Sequence, residues 1–367
     1  MQFKFNIGTK VFFGKGCLQQ NKQELKQYGR RAVIVTGKHS AAKSGALDDM
    51  ISVLKDNNIE YTIFDKIKNN PTFDNISEGG KVAADYKADF IIGIGGGSPL
   101  DASKAIAVLA VNDIDPLDLY KNKFERKPLP IIAVPTTAGT GSEVTPYSIL
   151  TRDDLQTKKS FGNDDTFPSV AFVDATYTES LPYNVTVDTA IDALSHAVEG
   201  YISKRSTVIS DVLAAEAMQT FAKCLNNLIA NEIDYNIREK LIYASMIAGM
   251  VIAQTGTTIV HGLGYSLTYF HDVPHGRANG MLMKEYLKYN YPAATQKIDN
   301  ILKFLGMDSI DQFGDALKKL IEPISITREE VELFSSLAFK QKSTGYNIRT
   351  VEQEDLKAIL ERSLKVQ

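Results

Sequence analysis

Ile91-Ile92-Gly93-Ile94-Gly95-Gly96-Gly97-Ser98-Pro99-Leu100-Asp101 sets a glycine run between an apolar stretch, residues 90–94, and a helical pattern over residues 100–110. Glycine tolerates positive φ and lets a phosphate approach the backbone closely. A helix start beyond it offers free N–H groups and the positive end of the helix dipole. Ser98 can cap that helix or donate to a phosphate oxygen. A tight structural turn would use the same residues, but a position at the carboxyl end of a parallel strand favours a ligand.

Working outward, residues 32–36 (AVIVT) form a short β-branched strand. Residues 41–57 have helical spacing, with Leu47, Met50, Ile51 and Leu54 on one face. Residues 61–64, 131–134 and 170–173 read as further strands, the last closing the series, and residues 74–86 as a helix. Strands alternating with helices predict a parallel sheet with right-handed crossovers. Residues 113–130 and 151–167 read as loops. Beyond residue 181 the pattern turns helical, over 188–203, 208–230, 236–255 and 277–289. The fold class is therefore α/β plus all-α: a Rossmann-like parallel-sheet dinucleotide domain over residues 1–183 and a helical domain over 184–367. A length of 367 residues agrees with two cores.

The standard G-x-G-x-x-G fingerprint is missing from the first strand–helix unit, which carries Thr36-Gly37-Lys38-His39-Ser40. A second small-residue loop, Pro135-Thr136-Thr137-Ala138-Gly139-Thr140-Gly141-Ser142-Glu143, follows a neighbouring strand. Its hydroxyls can bond ribose or phosphate oxygens, and its small side chains leave room for a flat ring. A bland polar loop is the alternative, and two such loops after neighbouring strands favour a nucleotide crevice.

With 41 Lys and Arg against 44 Asp and Glu, the net charge is −3. No basic block occurs, so neither nucleic acid nor an anionic membrane is an expected partner. The two cysteines, Cys17 and Cys224, follow no metal or redox spacing, which suits a reducing compartment. The N-terminus lacks a signal-peptide pattern, and no apolar run approaches the ~20 residues of a membrane span. A cytoplasmic location is expected.

Four of the five histidines lie in the helical half. Asp192 and His196, four residues apart, share one helical face. His261 follows a helix-like run, and His275 stands in Pro274-His275-Gly276. One carboxylate and three imidazoles can surround a divalent cation and leave a position for substrate or water. Taken singly, each histidine is equally a packed or solvated side chain. His271 is a further candidate, and Fe(II) and Zn(II) both suit the donor set.

These residues together resemble the iron-containing (group III) alcohol dehydrogenases. Gly95 to Lys104 (GGGSPLDASK) resembles that family's GGGSxxDxxK segment, and Pro135 to Val144 its second nucleotide loop. Asp192 to Gly200 (DALSHAVEG), with His261-Gly262 and Pro274-His275-Gly276, resembles its metal segments. Asp174 to Pro182 (DATYTESLP) resembles its DPxLTxxLP stretch. The resemblance implies a dehydroquinate synthase-like arrangement, an NAD(P)-binding domain followed by a helical metal-binding domain. It implies Asp192, His196, His261 and His275 as ligands of Fe(II), with Zn(II) as the alternative. Gly95, Gly96, Gly97 and Ser98 would hold the pyrophosphate, with Asp101 in the same segment. Asn70, Thr136, Thr137, Thr140, Lys159, Thr178 and Leu181 would line the nucleotide and nicotinamide ribose. The expected reaction is hydride transfer between NAD(P)(H) and a small primary alcohol, diol or aldehyde, in a homodimer or higher homo-oligomer.

Two positions depart from the family pattern. Where many members carry an acidic residue after the first strand, this chain has Gly37 followed by Lys38, which favours NADP(H) over NAD(H). Where many carry a histidine four residues after the third ligand, this chain has Tyr265, which removes one route for a proton; water, the ribose hydroxyl or His271 would carry it. Two rival readings stay open at this point. A dehydroquinate-synthase-like or glycerol-dehydrogenase-like metalloenzyme shares the fold; the lyase needs several Lys or Arg around a phosphorylated acid, whereas Ala, Leu, Tyr and Phe flank the metal segments here. A non-catalytic NADP-binding sensor would tolerate loss of a ligand, and all four are present.

Overall fold

The computed structural model describes residues 2–367, which divide into two compact units. One is Ile7–Leu181. The other is Pro182–Gln367, joined by the N-terminal stretch ending at Asn6.

The first unit is built on strands β1 (Lys10–Phe13), β2 (Arg31–Thr36), β3 (Glu60–Phe64), β4 (Phe90–Gly95), β5 (Ile131–Pro135) and β8 (Val170–Val173). They form one parallel sheet in the order β1-β8-β5-β4-β2-β3. Helices α1 (Cys17–Gln20), α2 (Ser40–Lys43), α3 (Ala46–Asp56), α4 (Phe73–Asp85) and α5 (Gly97–Leu109) connect them. Side chains alternate along each strand, so Ile34, Ile92 and Ile94 pack with Met50 and Leu54 of α3 on one face. Val33, Val35 and Ile91 pack with Ile76 of α4 and Ile106 of α5 on the other. Burial on both faces explains why these strands read as continuous apolar runs.

The order in which successive strands are added reverses between the parallel neighbours β2 and β4. From β2 the chain moves outward to β3, and from β4 it moves the opposite way to β5. Ligands of open α/β sheets bind at such switch points, beyond the carboxyl ends of the strands. Gly37 follows β2 there, Gly96 follows β4 and Thr136 follows β5.

Several sequence expectations need correction. The helix after β4 starts at Gly97, before its periodic apolar residues begin, because Gly97, Ser98 and Pro99 form its first turn; proline is tolerated there, where its missing N–H would have no partner. The single helix expected over residues 41–57 is two, separated at Gly45, whose φ is +82°. The loop expected over 151–167 contains an antiparallel hairpin, β6 (Ser148–Arg152) with β7 (Thr157–Phe161). Its polar composition hides the strands, yet Leu150 and Phe161 anchor it in the core beside α5. The N-terminal strand, Lys10–Phe13, pairs with β8 and forms one edge of the sheet.

The second unit comprises α6 (Tyr183–Tyr201), α7 (Val208–Ala230), α8 (Tyr235–Thr255), α9 (Ile259–His271), α10 (His275–Leu305), α11 (Ile310–Lys318), α12 (Arg328–Phe339) and α13 (Gln353–Ser363). Helix α10 runs past the expected end at residue 289, through Pro292, and kinks at Ala294. Strands do not end at residue 173: β9 (Ser325–Ile326) and β10 (Lys365–Val366) form a short parallel pair. Among the described residues no single helix is long and apolar enough to cross a membrane.

Candidate metal centre and nucleotide loops

Three helices bring chemistry together in the second unit. Asp192 lies mid-way along α6, His261 in the first turn of α9, and His275 opens α10 after Pro274. Each offers one donor atom, and the three atoms lie within 4.8 Å of one another. The carboxamide of Asn279, one turn beyond His275, sits against all three. Its Nδ2 is 3.0 Å from Asp192 Oδ1, 3.2 Å from His261 Nε2 and 3.3 Å from His275 Nε2. Three acceptors around one polar hydrogen donor, those of Asp192 and His261 buried and that of His275 half-buried, mark a place where positive charge is stabilised. The donor set, one carboxylate oxygen and imidazole nitrogens, fits a divalent transition metal. Asn279 Oδ1 is buried and has no hydrogen-bond partner among the described residues.

His196, the fourth expected ligand, is outside that three-atom set; its ring stacks on His261 with centroids 4.7 Å apart. Tyr265 stacks on His275 at 5.2 Å and stands edge-on to His261, so a phenol ring walls the site where the family pattern has an imidazole. His271 is not part of the cluster. It ends α9 and bonds Glu330 of α12, Nε2 to Oε1 2.9 Å.

Sequence reasoning missed Asn279 and Glu199. Glu199 is fully buried and contacts His261 through a short Nδ1···Oε2 hydrogen bond. Burial alone would raise the Glu199 pKa, but His261 and the Thr258 hydrogen bonds bring it below its ordinary value. Burial works against a charged His261, yet Glu199, with Asp192 behind it, raises the imidazole pKa. The available signal was spacing: Asp192, His196 and Glu199 recur at i, i+4 and i+7, one face of α6.

In the first unit the two small-residue loops meet. A β-carbon on Gly97 would come within 2.7 Å of Thr140 Cγ2, and one on Gly96 within 3.1 Å of Thr137. Gly95 adopts φ +150° at the end of β4. Ser98 Oγ accepts from the Asn70 backbone N–H at 3.2 Å, and Thr136 Oγ1 is buried with no hydrogen-bond partner among the described residues. A glycine cradle at a helix N-terminus with an unused hydroxyl beside it fits a nucleotide phosphate. Gly37 and exposed Lys38 follow the adjacent strand β2. Thr178 and Leu181 share the turn after β8, where the Leu181 N–H donates to the Thr178 carbonyl.

Two expected contacts sit elsewhere. Lys159 is exposed, its ammonium 5.3 Å from the centre of the Tyr120 ring. Its neighbour Lys158 is buried and donates to Asn70 Oδ1 at 2.7 Å; adjacent residues of a strand face opposite ways. Asp101 is spent inside the protein, accepting from Ser142 Oγ at 2.5 Å and the Ile149 N–H at 3.1 Å.

Residues 8–175 match the model of the iron-containing alcohol dehydrogenases, and residues 186–364 that of the C-terminal part of the Fe-containing alcohol dehydrogenase family. This chain belongs to the iron-containing alcohol dehydrogenase family. It is 32% identical to the 1,3-propanediol dehydrogenase of Citrobacter freundii, over 88% of this chain and 87% of that one. It is 28% identical to the NADPH-dependent butanol dehydrogenase of Clostridium saccharobutylicum, over 98% and 97%. The crystal structure of an iron-containing alcohol dehydrogenase from Thermotoga maritima superposes with a TM-score of 0.93 at 40% identity, covering 99% of both chains. The expected fold class, family and activity hold: the protein is an NAD(P)-dependent alcohol oxidoreductase of the iron-containing type.

Proposed function

We propose that the protein interconverts small primary alcohols or diols and their aldehydes with a preference for NADP(H), holding Fe(II) in its helical unit. The convergence of Asp192, His261 and His275 on one point carries this reading. His196, stacked on His261, completes the ligand set. The Ile7–Leu181 unit binds the cofactor: Gly96, Gly97 and Ser98 hold the pyrophosphate, while Thr136, Thr137, Thr140 and Asn70 line the remainder. Lys158, held on Asn70, takes the role expected of Lys159. When bound, a divalent cation polarises the substrate oxygen and the nicotinamide exchanges the hydride. The protein's own residues orient these groups. Asn279 holds the Asp192 carboxylate in place, and Tyr265 fixes the His275 ring without adding a titratable imidazole.

The NADP(H) preference rests on Gly37 and Lys38. No carboxylate follows β2 to repel a 2′-phosphate, and an exposed ammonium stands beside it. The test is NADPH and NADH oxidation with butyraldehyde, using protein stripped by chelator and reloaded with Fe(II) or Zn(II). Metal-dependent turnover that is faster with NADPH supports the proposal. A Lys38→Glu variant should move preference toward NADH; unchanged preference would remove the role of Lys38. Full activity in a metal-free His261→Ala variant would overturn the metal centre.

A further inference from the structure

We infer that Glu199 is a positioning residue for the metal centre: it fixes which nitrogen of His261 faces Asp192 and His275. The inference rests on the metal reading above and adds a residue to it.

The two oxygens of Glu199 do different work. Oε1 accepts from the Thr258 N–H at 2.9 Å, the Thr258 hydroxyl at 2.7 Å and the Val260 N–H at 3.1 Å. These groups start α9, whose first N–H groups have no partner within the helix. A carboxylate there also meets the positive end of the helix dipole. Oε2 faces His261 Nδ1. Thr258 Oγ1 in turn lies 3.0 Å from the hydroxyl of Tyr286, which is wholly buried. The carboxylate is thus held on one side by the start of a helix and presents its other oxygen to a single ring nitrogen.

A carboxylate can only accept. It therefore places the proton of His261 on Nδ1 and leaves the Nε2 lone pair directed at the point where the Asp192 and His275 donors converge. That nitrogen is 3.8 Å from Asp192 Oδ1. Helix α6 carries both Asp192 and Glu199, so one rigid element sets a ligand directly and a second ligand through its support. The same carboxylate fixes the start of α9, so displacing it would move the backbone of His261 as well as its ring.

The test separates positioning from helix capping. Glu199→Gln keeps the size of the side chain and an oxygen that accepts from the α9 N–H groups, but its NH2 turns toward Nδ1 and drives the proton to Nε2. Metal-free protein is titrated with Co(II), following visible absorption, and thermal unfolding is recorded with and without metal. The expected result is Co(II) affinity lower by about 10–100-fold, an altered absorption band and a smaller gain in Tm on adding metal. Equal loss of Tm with and without metal, at unchanged affinity and spectrum, would show capping alone and overturn the inference. Wild-type protein that binds no Co(II) would overturn the metal centre and the role of Glu199 together. If Glu199→Gln fails to fold, nitrogen shifts of 15N-histidine in Zn(II)-loaded wild-type protein decide the matter. A protonated Nδ1 on His261 is expected; zinc on Nδ1 would overturn the role.

Discussion

Gly276 lies so close against the carbonyl of Asp188 that a β-carbon there would overlap the oxygen and come within 2.8 Å of Asp192 Cβ. This contact sets the approach of α10 to α6, and both Asp192 and His275 depend on it. The obstructing atom is backbone and cannot swing away. Gly276→Ala is expected to destabilise the protein by about 1–3 kcal/mol and to weaken metal binding further by displacing His275. Urea unfolding of metal-free protein, with a Co(II) titration, measures both. Gly345→Ala is the control: nothing lies within 4 Å of its β-carbon position, and stability should stay within about 0.5 kcal/mol of wild type.

The two nucleotide loops are coupled through Gly97 and Thr140. A methyl group on Gly97 would press on Thr140 Cγ2 at 2.7 Å and narrow the cradle. Gly97→Ala should weaken NADP(H) binding by about 10-fold, or about 1.4 kcal/mol. Thr140→Ser removes the opposing methyl group and should restore part of the loss, giving a coupling energy on the order of 1 kcal/mol between the two sites. Cofactor fluorescence titrations of the four proteins supply the cycle. Simple additivity would mean the loops do not touch in solution.

The sheet was legible because buried parallel strands are apolar on both faces, and residues 32–36 and 90–94 show this directly. The β6–β7 hairpin was not, because its sequence between Thr151 and Ser160 is polar and its strands are fixed by tertiary contacts of Leu150 and Phe161. The candidate metal-binding residues were legible as residue types, Asp192 and His196 at helical spacing, but the convergence of Asp192, His261 and His275 depends on α6, α9 and α10 meeting, which no local pattern encodes. Asn279 carries no metal-ligand signature of its own; only its position one turn after His275 exposes it. Lys158 and Lys159 could not be told apart without strand register.

Beneath the second loop, Lys104 is completely buried. It donates to the carbonyls of Ser142 at 2.8 Å and Tyr147 at 2.6 Å and to Ser142 Oγ at 2.7 Å. It lies 3.7 Å from Asp101. Removing one partner of a buried charge pair leaves the other uncompensated, at a cost of about 3–5 kcal/mol. Lys104→Met should lose stability on that scale and loosen residues 142–147, seen as faster amide exchange there. Lys104→Met with Asp101→Asn removes both charges and should be less damaging than Lys104→Met alone; a double variant worse than the single one would argue against the pairing.

Glu143 gives this region a pH signature. Its side chain is 2% exposed and Oε1 has no hydrogen-bond partner among the described residues. Burial raises its pKa from 4.5 to about 7, against the opposing charge of Lys104. The folded protein therefore holds a proton that the unfolded chain releases between these two values. Its contribution to stability is fully present below 4.5 and is lost as pH rises through about 7, a change on the order of 3 kcal/mol. Burial holds Lys104 down to about 8, so its own titration falls above this window. Glu143→Gln stays neutral throughout. The stability difference between Glu143→Gln and wild type should move in the variant's favour from pH 5 to pH 7.5 and level off beyond, as read from urea unfolding at a series of pH values. Parallel pH profiles would show that Glu143 is ionised inside the fold and that Lys104 compensates its charge in full.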